Sequence, residues 1–574
     1  NLDDLLGADT DFSAAIVKNP VFTTAYIYRA LTRTRMGNYD DALQDFREAI
    51  DLRPDLPDAY YSRGYTRLQN KQYEEAIEDF DKFIFQENKV ADAYIGRGTA
   101  YLYLKDTVRA LENFDQAIRT NRENPNGYYQ RGTLLLQKEE YARAEADFDM
   151  SIRCDSAFLP PYFNRAVVYS NTNRPMQALA DFDRVLQLDS TNSFTYFNRA
   201  ILRTQIGDYN RALDDFDRVA LYSPGNVQVY YLRAMLKTRL GDLEGAERDY
   251  TRAIELYPDF ANAYLNRSAL RYALHNPKAA KRDEEIAQRK IAEYKSHLKD
   301  STYSIYADTT QRMDKLLAFD NQFTNNYFDR ISEQPNLGRS NMRLLPLFRF
   351  TLMQPDTTRI EASNRYTLQR VKDFEKKLDN PYLVLSNRPT NIDADSLAML
   401  DSRYAEILRQ NPRDWLLQVQ YAISQSLIRQ FTNSVGAYSS AIADNAANPF
   451  LYFNRAVTRA EMIDFISGLD NPYQRISIDS DPANKLTNTH TRTYNYDEAI
   501  ADLDKTLRRF PNFAEAYYNR GTLLALSGKL PEAFEDFSRA IELNPLFAEA
   551  FYNRGMTQIY MNCLLYTSPS PRDA

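Results

Sequence analysis

Apolar residues in the first half of the chain fall into two alternating stripes. One runs through Ala42, Phe46, Ala49 and Ile50, an i, i+4, i+7, i+8 pattern that predicts an amphipathic helix. The other begins at Ala59-Tyr60-Tyr61 with Gly64 behind it, and predicts a helix packed closely on a neighbour. Turns such as Gly37-Asn38-Tyr39 and Gly207-Asp208-Tyr209 separate the stripes; glycine there suits a left-handed helix end. Pro54 and Pro258 block continuation at the other end of the pair. The predicted element is therefore a helix pair.

The pair repeats. Tyr26, Tyr60, Tyr94, Tyr128, Tyr162, Tyr196, Tyr230 and Tyr264 are 34 residues apart, and so are Arg29, Arg63, Arg97, Arg131, Arg165, Arg199, Arg233 and Arg267. Ala42 through Ala280 and Phe46 through Tyr250 keep the same beat. Small residues at Ala30, Gly64, Gly98, Gly132 and Ala166 let paired helices approach. A constant period of this length is the mark of a stacked array rather than a single globular core.

A 34-residue helix–turn–helix with aromatic, Gly/Ala, Ala, Phe, Ala and Pro at these offsets resembles the tetratricopeptide repeat. The resemblance covers roughly three quarters of the chain and implies an all-α superhelical solenoid of antiparallel helix pairs, here interrupted by a non-repeat insert. It also implies a non-catalytic scaffold for proteins or peptides. One departure is consistent: the Arg29 series stands where the family usually has Leu.

A lone charge between helices is costly, so each arginine needs a partner. Asp45, Asp79, Asp147, Asp181, Asp215, Asp249 and Asp283 stand 16 residues after theirs, with only Asn113 differing. Arg455 with Asp502 and Arg520 with Asp536 keep the combination, and the divergent repeat at Tyr421 and Ala437 lacks both. The pattern predicts structural ion pairs, among them Arg29–Asp45, Arg165–Asp181 and Arg199–Asp215.

Asp11, Phe12 and Ala15 precede Asp45, Phe46 and Ala49 by one period, so residues 1–20 read as a second helix whose first helix is missing. The expected divisions are a first repeat block at 1–284 that starts mid-repeat, and a mixed or partly irregular insert at 285–395. A second block follows at 396–562, with a loop insert near 462–493. The insert opens with a charged helix at 281–300, and Leu344 to Met353 and Tyr382 to Ser386 read as short strands. Helical repeats resume near Ala394, with Trp415 opening the next pair. Residues 563–574, CLLYTSPSPRDA, read as a sequencing artefact or a disordered tail.

In the resembled family the first helices line a concave groove. One position after the register tyrosine stand Tyr61, Tyr129, Phe163, Phe197, Tyr231, Phe453, Tyr518 and Tyr552; one further on stand Asn164, Asn198, Asn266, Asn454, Asn519 and Asn553. In similar solenoids, such as that of the O-linked GlcNAc transferase family, asparagine at this offset contacts a peptide main chain. An amide suits that task, because it donates and accepts without reading sequence. The resemblance thus implies an aromatic and amide track for an extended segment. Aromatics where some relatives carry Lys and Arg argue against a carboxylate clamp.

Net charge is -7 and no basic stripe exists, which disfavours nucleic acid. No run of 18 apolar residues marks a membrane span. His275, His297 and His490 are isolated, Cys154 and Cys563 are far apart, and Gly96-Arg97-Gly98 lacks the third glycine of a phosphate loop. No metal, cofactor or catalytic constellation is expected. The chain starts at Asn1 with no signal peptide, which leaves cytoplasm and bacterial envelope both open. The alternatives to a free scaffold are the recognition arm of a larger enzyme or receptor, and an envelope assembly or secretion component. Oligomeric state is not legible.

Overall fold

The computed structural model describes residues 2–296, 344–354, 368–470 and 495–567. In chain order the helices are α1 (Leu2–Lys18), α2 (Thr23–Arg35), α3 (Tyr39–Leu52), α4 (Pro57–Gln69), α5 (Tyr73–Gln86), α6 (Ala91–Tyr103), α7 (Thr107–Thr120), α8 (Pro125–Gln137), α9 (Tyr141–Cys154), α10 (Leu159–Asn171), α11 (Pro175–Leu188), α12 (Ser193–Gln205), α13 (Tyr209–Tyr222), α14 (Val227–Leu240), α15 (Leu243–Leu256), α16 (Ala261–Ala273) and α17 (Pro277–Ser296). Then come β1 (Arg349–Leu352), α18 (Gln369–Leu378), β2 (Leu383–Ser386), α19 (Ala394–Gln410), α20 (Trp415–Leu427), α21 (Phe431–Asp444), α22 (Pro449–Asp470), α23 (Asp497–Arg509), α24 (Ala514–Leu526), α25 (Leu530–Leu543) and α26 (Ala548–Thr567). The loop expected near 462–493 lies partly outside the described residues, since α22 extends to Asp470; so do His297, His490 and residues 568–574 of the tail.

Contacts divide the chain into two units, Asn1–Glu87 with Ile331–Ala574, and Asn88–Arg330. Within each, successive helices pack as antiparallel pairs. The ring of the register phenylalanine fills each pair: Phe46, Phe80, Phe114, Phe148 and Phe182 are wholly buried. Glycine on the facing helix is what admits it. A Cβ at Gly98 would stand 2.8 Å from the Phe114 ring, and one at Gly132 2.9 Å from Phe148.

The turn inside each pair has its own backbone rule. Gly37, Gly207, Gly241 and Gly528 have φ between 78° and 86°. The equivalent turns without glycine adopt the same left-handed conformation, at Lys71, Lys105, Glu139, Asn173, His275 and Arg429. The hydrogen-bond closure that ends the helix therefore dictates this geometry, and the residue tolerates it at a cost of roughly 1 kcal/mol where it carries a Cβ.

Helix α1 is not an orphan. It pairs with α26, which supplies the first helix of its repeat. Phe12 packs against Tyr552 and beneath Gly555, and Arg554 reaches Asp11 at 2.6 and 2.9 Å. In the fold α26 occupies the first-helix position beside α1: the 34-residue register that links α1 to α3 also links α26 to α24, so the two surfaces fit as consecutive helices do.

Between the repeats of the first unit sits a small mixed element. Strands β1 and β2 pair antiparallel, Arg349 opposite Ser386 and Leu352 opposite Leu383. Phe350, Leu352, Val371, Phe374 and Leu378 bury one core with Val419, Ile423, Phe450 and Phe453 of the repeats. A two-stranded ribbon is marginal by itself; the helices beneath it provide the missing apolar face.

Candidate functional site

Most register arginines, Arg29, Arg165 and Arg199 among them, lie over the tyrosine three residues before and face an aspartate on the second helix. Arg29 meets Asp45 at 2.6 and 2.9 Å, Arg165 meets Asp181 at 2.7 and 2.8 Å, and Arg199 meets Asp215 at 2.6 and 3.0 Å. The geometry is the two-pronged guanidinium–carboxylate fork. Asp45, Asp181 and Asp215 are buried. Burial pushes the carboxyls of Asp181 and Asp215 upward against the pull of their arginines. The guanidiniums of Arg131 and Arg520 are held more basic by the aspartates they bond. Where Asn113 replaces the aspartate, Arg97 donates to its Oδ1 at 2.8 Å.

The arrangement has two further members that reasoning from the sequence missed. The third guanidinium nitrogen turns back to the preceding repeat: Arg131 to Asp115, Arg165 to Asp149, Arg233 to Asp217 and Arg520 to Asp504, at 2.6–2.8 Å. A second cation four residues along the first helix also reaches the buried aspartate, as Arg33 to Asp45, Arg203 to Asp215 and Arg459 to Asp502. The aspartates keep the 34-residue beat at Asp115, Asp149, Asp183 and Asp217 and were visible, whereas the second-cation series is broken at Tyr101, Leu135 and Tyr169. These networks brace the helices and carry no reactive geometry.

Among the aromatics one position after the register tyrosine, Tyr518 and Phe453 meet residues 345–350 as the expected track would, whereas five others are placed differently. Tyr61, Tyr129, Phe163, Phe197 and Tyr231 are all buried. Their rings pack on the second helix and on the segment entering the next repeat: Tyr61 on Phe80 and Phe83, Tyr129 on Phe158, Phe163 on Phe182 and Phe194, Phe197 on Phe216, Tyr231 on Phe260. A step of one residue turns about 100° around a helix, which carries these side chains from the groove wall into the inter-repeat core. They offer a ligand no free face.

The asparagines behave in two ways. In the second unit Asn164 donates to Thr133 Oγ1 at 3.0 Å and Asn266 to Tyr231 Oη at 3.0 Å. Asn198 turns back to the Phe194 carbonyl at 2.8 Å, and its buried Oδ1 has no hydrogen-bond partner. Gln130, at the same offset in α8, has a buried Nε2 with none either.

In the first unit the three asparagines hold a polypeptide. Residues 344–350 lie along the first helices as a strap. Leu345 N–H donates to Asn553 Oδ1 at 2.9 Å, Phe348 N–H to Asn519 Oδ1 at 2.8 Å, and Phe350 N–H to Asn454 Oδ1 at 3.0 Å. Asn519 and Asn454 return the bond to the carbonyls of Phe348 (2.7 Å) and Phe350 (3.3 Å). Tyr518 Oη donates to the carbonyls of Leu345 and Pro346 at 3.1 and 3.3 Å. Sequence reasoning marked residues 344–353 as a strand but missed their seating, because the segment has no period and its partners lie more than a hundred residues away.

No helix among the described residues is long and apolar enough to cross a membrane, and no cluster of His, Cys, Asp or Glu among them could hold a metal ion. Family models for the TPR repeat match residues 30–71, and for the tetratricopeptide repeat residues 95–157, 197–260 and 492–546. No curated protein matches the chain. Similar solved structures include YrrB, described as a TPR protein with an unusual peptide-binding site, at 23% identity over 33% of this chain and 96% of that one, with a TM-score of 0.30. Pseudomonas aeruginosa pilF matches at 21% identity over 35% and 92%, with a TM-score of 0.33. A tetratricopeptide repeat protein from Parabacteroides merdae matches at 19% over 46% and 98%, also at 0.33. The 34-residue helix pairs and the repeat models matched at 30–71, 95–157, 197–260 and 492–546 identify tetratricopeptide repeats in this chain, helix pairs that build a solenoid for protein interaction.

Proposed function

We propose that the protein is a non-catalytic scaffold that takes proteins or peptides as extended segments along its first helices, through the main chain rather than through a sequence-specific pocket. The observation that carries this reading is the set of main-chain hydrogen bonds that Asn454, Asn519 and Asn553 make to residues 345–350. The same residue type at the same offset in the second unit, Asn164, Asn198 and Asn266, is the proposed site for a segment from another molecule. The unpaired Oδ1 of Asn198 and Nε2 of Gln130 favour it: a buried polar atom without a partner costs about 1–3 kcal/mol, and a ligand main chain supplies one acceptor and one donor per residue. In this reading Tyr61, Tyr129, Phe163, Phe197 and Tyr231 shape the helix spacing from within.

The test is capture of a library of unstructured synthetic peptides by the wild-type chain and by the triple variant Asn164→Ala, Asn198→Ala and Asn266→Ala. Capture by the wild type that drops several-fold in an equally folded variant is expected. Equal capture by both, or none by either, ends this reading for the second unit.

A further inference from the structure

The strap records how the first unit reads a polypeptide. Its direction is opposite to that of the repeats: Leu345 is held by α26, Phe348 by α24 and Phe350 by α22. Each repeat therefore takes two or three residues of extended chain, about 7–10 Å at roughly 3.3 Å per residue. Alternation along an extended chain puts Phe348 and Phe350 on one face. Phe348 enters between Tyr518 and Phe547, its ring 5.3 Å from each, and Phe350 enters among Phe374, Phe450 and Phe453 at 4.9, 5.3 and 6.3 Å. Arg349, between them, forms an ion pair with Glu461 of α22. Pro346 falls where no N–H is used, and its carbonyl accepts from Tyr518.

Resting on the scaffold reading above, we infer that residues 344–350 are a built-in occupant of this groove, and that its external partner is an extended segment carrying an aromatic–basic–aromatic triplet, bound in the same direction by displacing the strap. The polar contacts go to main-chain atoms that any such segment supplies. The side-chain contacts ask for two rings two residues apart, with a cation between them facing Glu461. The hold on the strap is local: Pro346 is exposed, Leu345 and Phe348 are only part-buried, and a two-stranded ribbon anchors the end at Phe350. Competition of this kind makes the groove accessible only to partners that match or exceed the strap's own fit.

The probe is a fluorescein-labelled synthetic peptide with the sequence of residues 341–353, followed by anisotropy with the full chain. Phe348→Ala in the protein removes the strap's middle ring and is expected to bind the peptide at least tenfold more tightly than wild type. Adding Asn519→Ala to Phe348→Ala is expected to remove that gain. A peptide in which both phenylalanines are serine is expected not to bind. Equal affinity for wild type and Phe348→Ala, with matching melting curves, overturns the inference. Should Phe348→Ala not fold, hydrogen exchange of the wild-type Leu345, Phe348 and Phe350 amides decides: their exchange accelerates with added peptide if the strap is displaced, and a rate independent of peptide overturns the proposal. If this peptide fails while capture that depends on Asn164, Asn198 and Asn266 persists, the strap inference alone falls; if that capture is absent too, the scaffold reading falls with it.

Discussion

Replacing Arg165 with leucine isolates one brace. The change removes two hydrogen bonds to Asp181 at 2.7 and 2.8 Å and one to Asp149 at 2.6 Å. The Asp149 contact contributes little, because that carboxylate is 38% exposed and water replaces the guanidinium, an effect of about 0–1 kcal/mol. Asp181 is 6% exposed and would be left charged without a partner, for which about 3–5 kcal/mol is the usual cost. Its carboxyl is already pushed up by burial with the arginine present; without it, the folded-state pKa rises further above the unfolded value. A carboxyl raised in this way binds its proton first in the folded state, so stability returns as pH falls. Every tenfold gain in proton affinity on folding corresponds to about 1.4 kcal/mol. The Arg165→Leu variant should therefore be weakest at pH 8 and regain stability as the pH falls toward 5. Arg165→Leu with Asp181→Leu should be more stable than the single variant and nearly flat with pH. Hydrogen exchange of the α10 and α11 amides reads the local opening free energy directly, which suits an array that need not unfold in one step. Additive single-variant effects, or a single variant whose deficit does not shrink at low pH, would refute the pairing energetics.

Gly98→Val should cost about 2–4 kcal/mol in urea or thermal melts, because its Cβ would stand 2.8 Å from the Phe114 ring in a filled interface. Lys105→Gly should raise stability by about 0.5–1 kcal/mol, since Lys105 holds a φ of 63° that glycine adopts freely; a loss in the melting curve would contradict it. Burial, with Glu549 nearby, pushes the Glu515 carboxyl up to about 7. Its folded form thus prefers the proton, the ionisation penalty is complete above pH 7, and Glu515→Gln should gain about 1–3 kcal/mol at pH 8 and nothing at pH 4. Arg554→Leu strands Asp11 under α26, and limited proteolysis should then cut the α1–α2 connection far faster than in the wild type.

The repeat architecture was legible because each helix pair meets its neighbour at a fixed offset, so packing writes itself into the sequence as a period. The Arg165–Asp181 type of pair was legible for the same reason: two residues 16 apart that are kept together, or lost together as at Tyr421 and Ala437, point to contact. The tyrosines and phenylalanines after the register position were harder, because an aromatic on a first helix suits a groove or a core equally, and only the rotation of the helix decides. The pairing of α1 with α26 and the seating of residues 344–350 were illegible. Both join segments far apart in sequence: Asp11, Phe12 and Ala15 mark α1 as a second helix without naming its partner, and the strap carries no period at all.

The shared guanidinium has a consequence for how the solenoid comes apart. Because Arg131, Arg165, Arg233 and Arg520 each bond an aspartate of their own repeat and one of the repeat before, part of the coupling between neighbouring repeats is ionic. Urea leaves such forks intact until the chain opens. Guanidinium chloride screens them, and its cation is the same planar donor that the arginines present, so it competes for each carboxylate before denaturing anything. The two denaturants should then report different cooperativity for one molecule, broad and uncoupled transitions in the salt and sharper ones in urea, with added sodium chloride moving the urea curve toward the other.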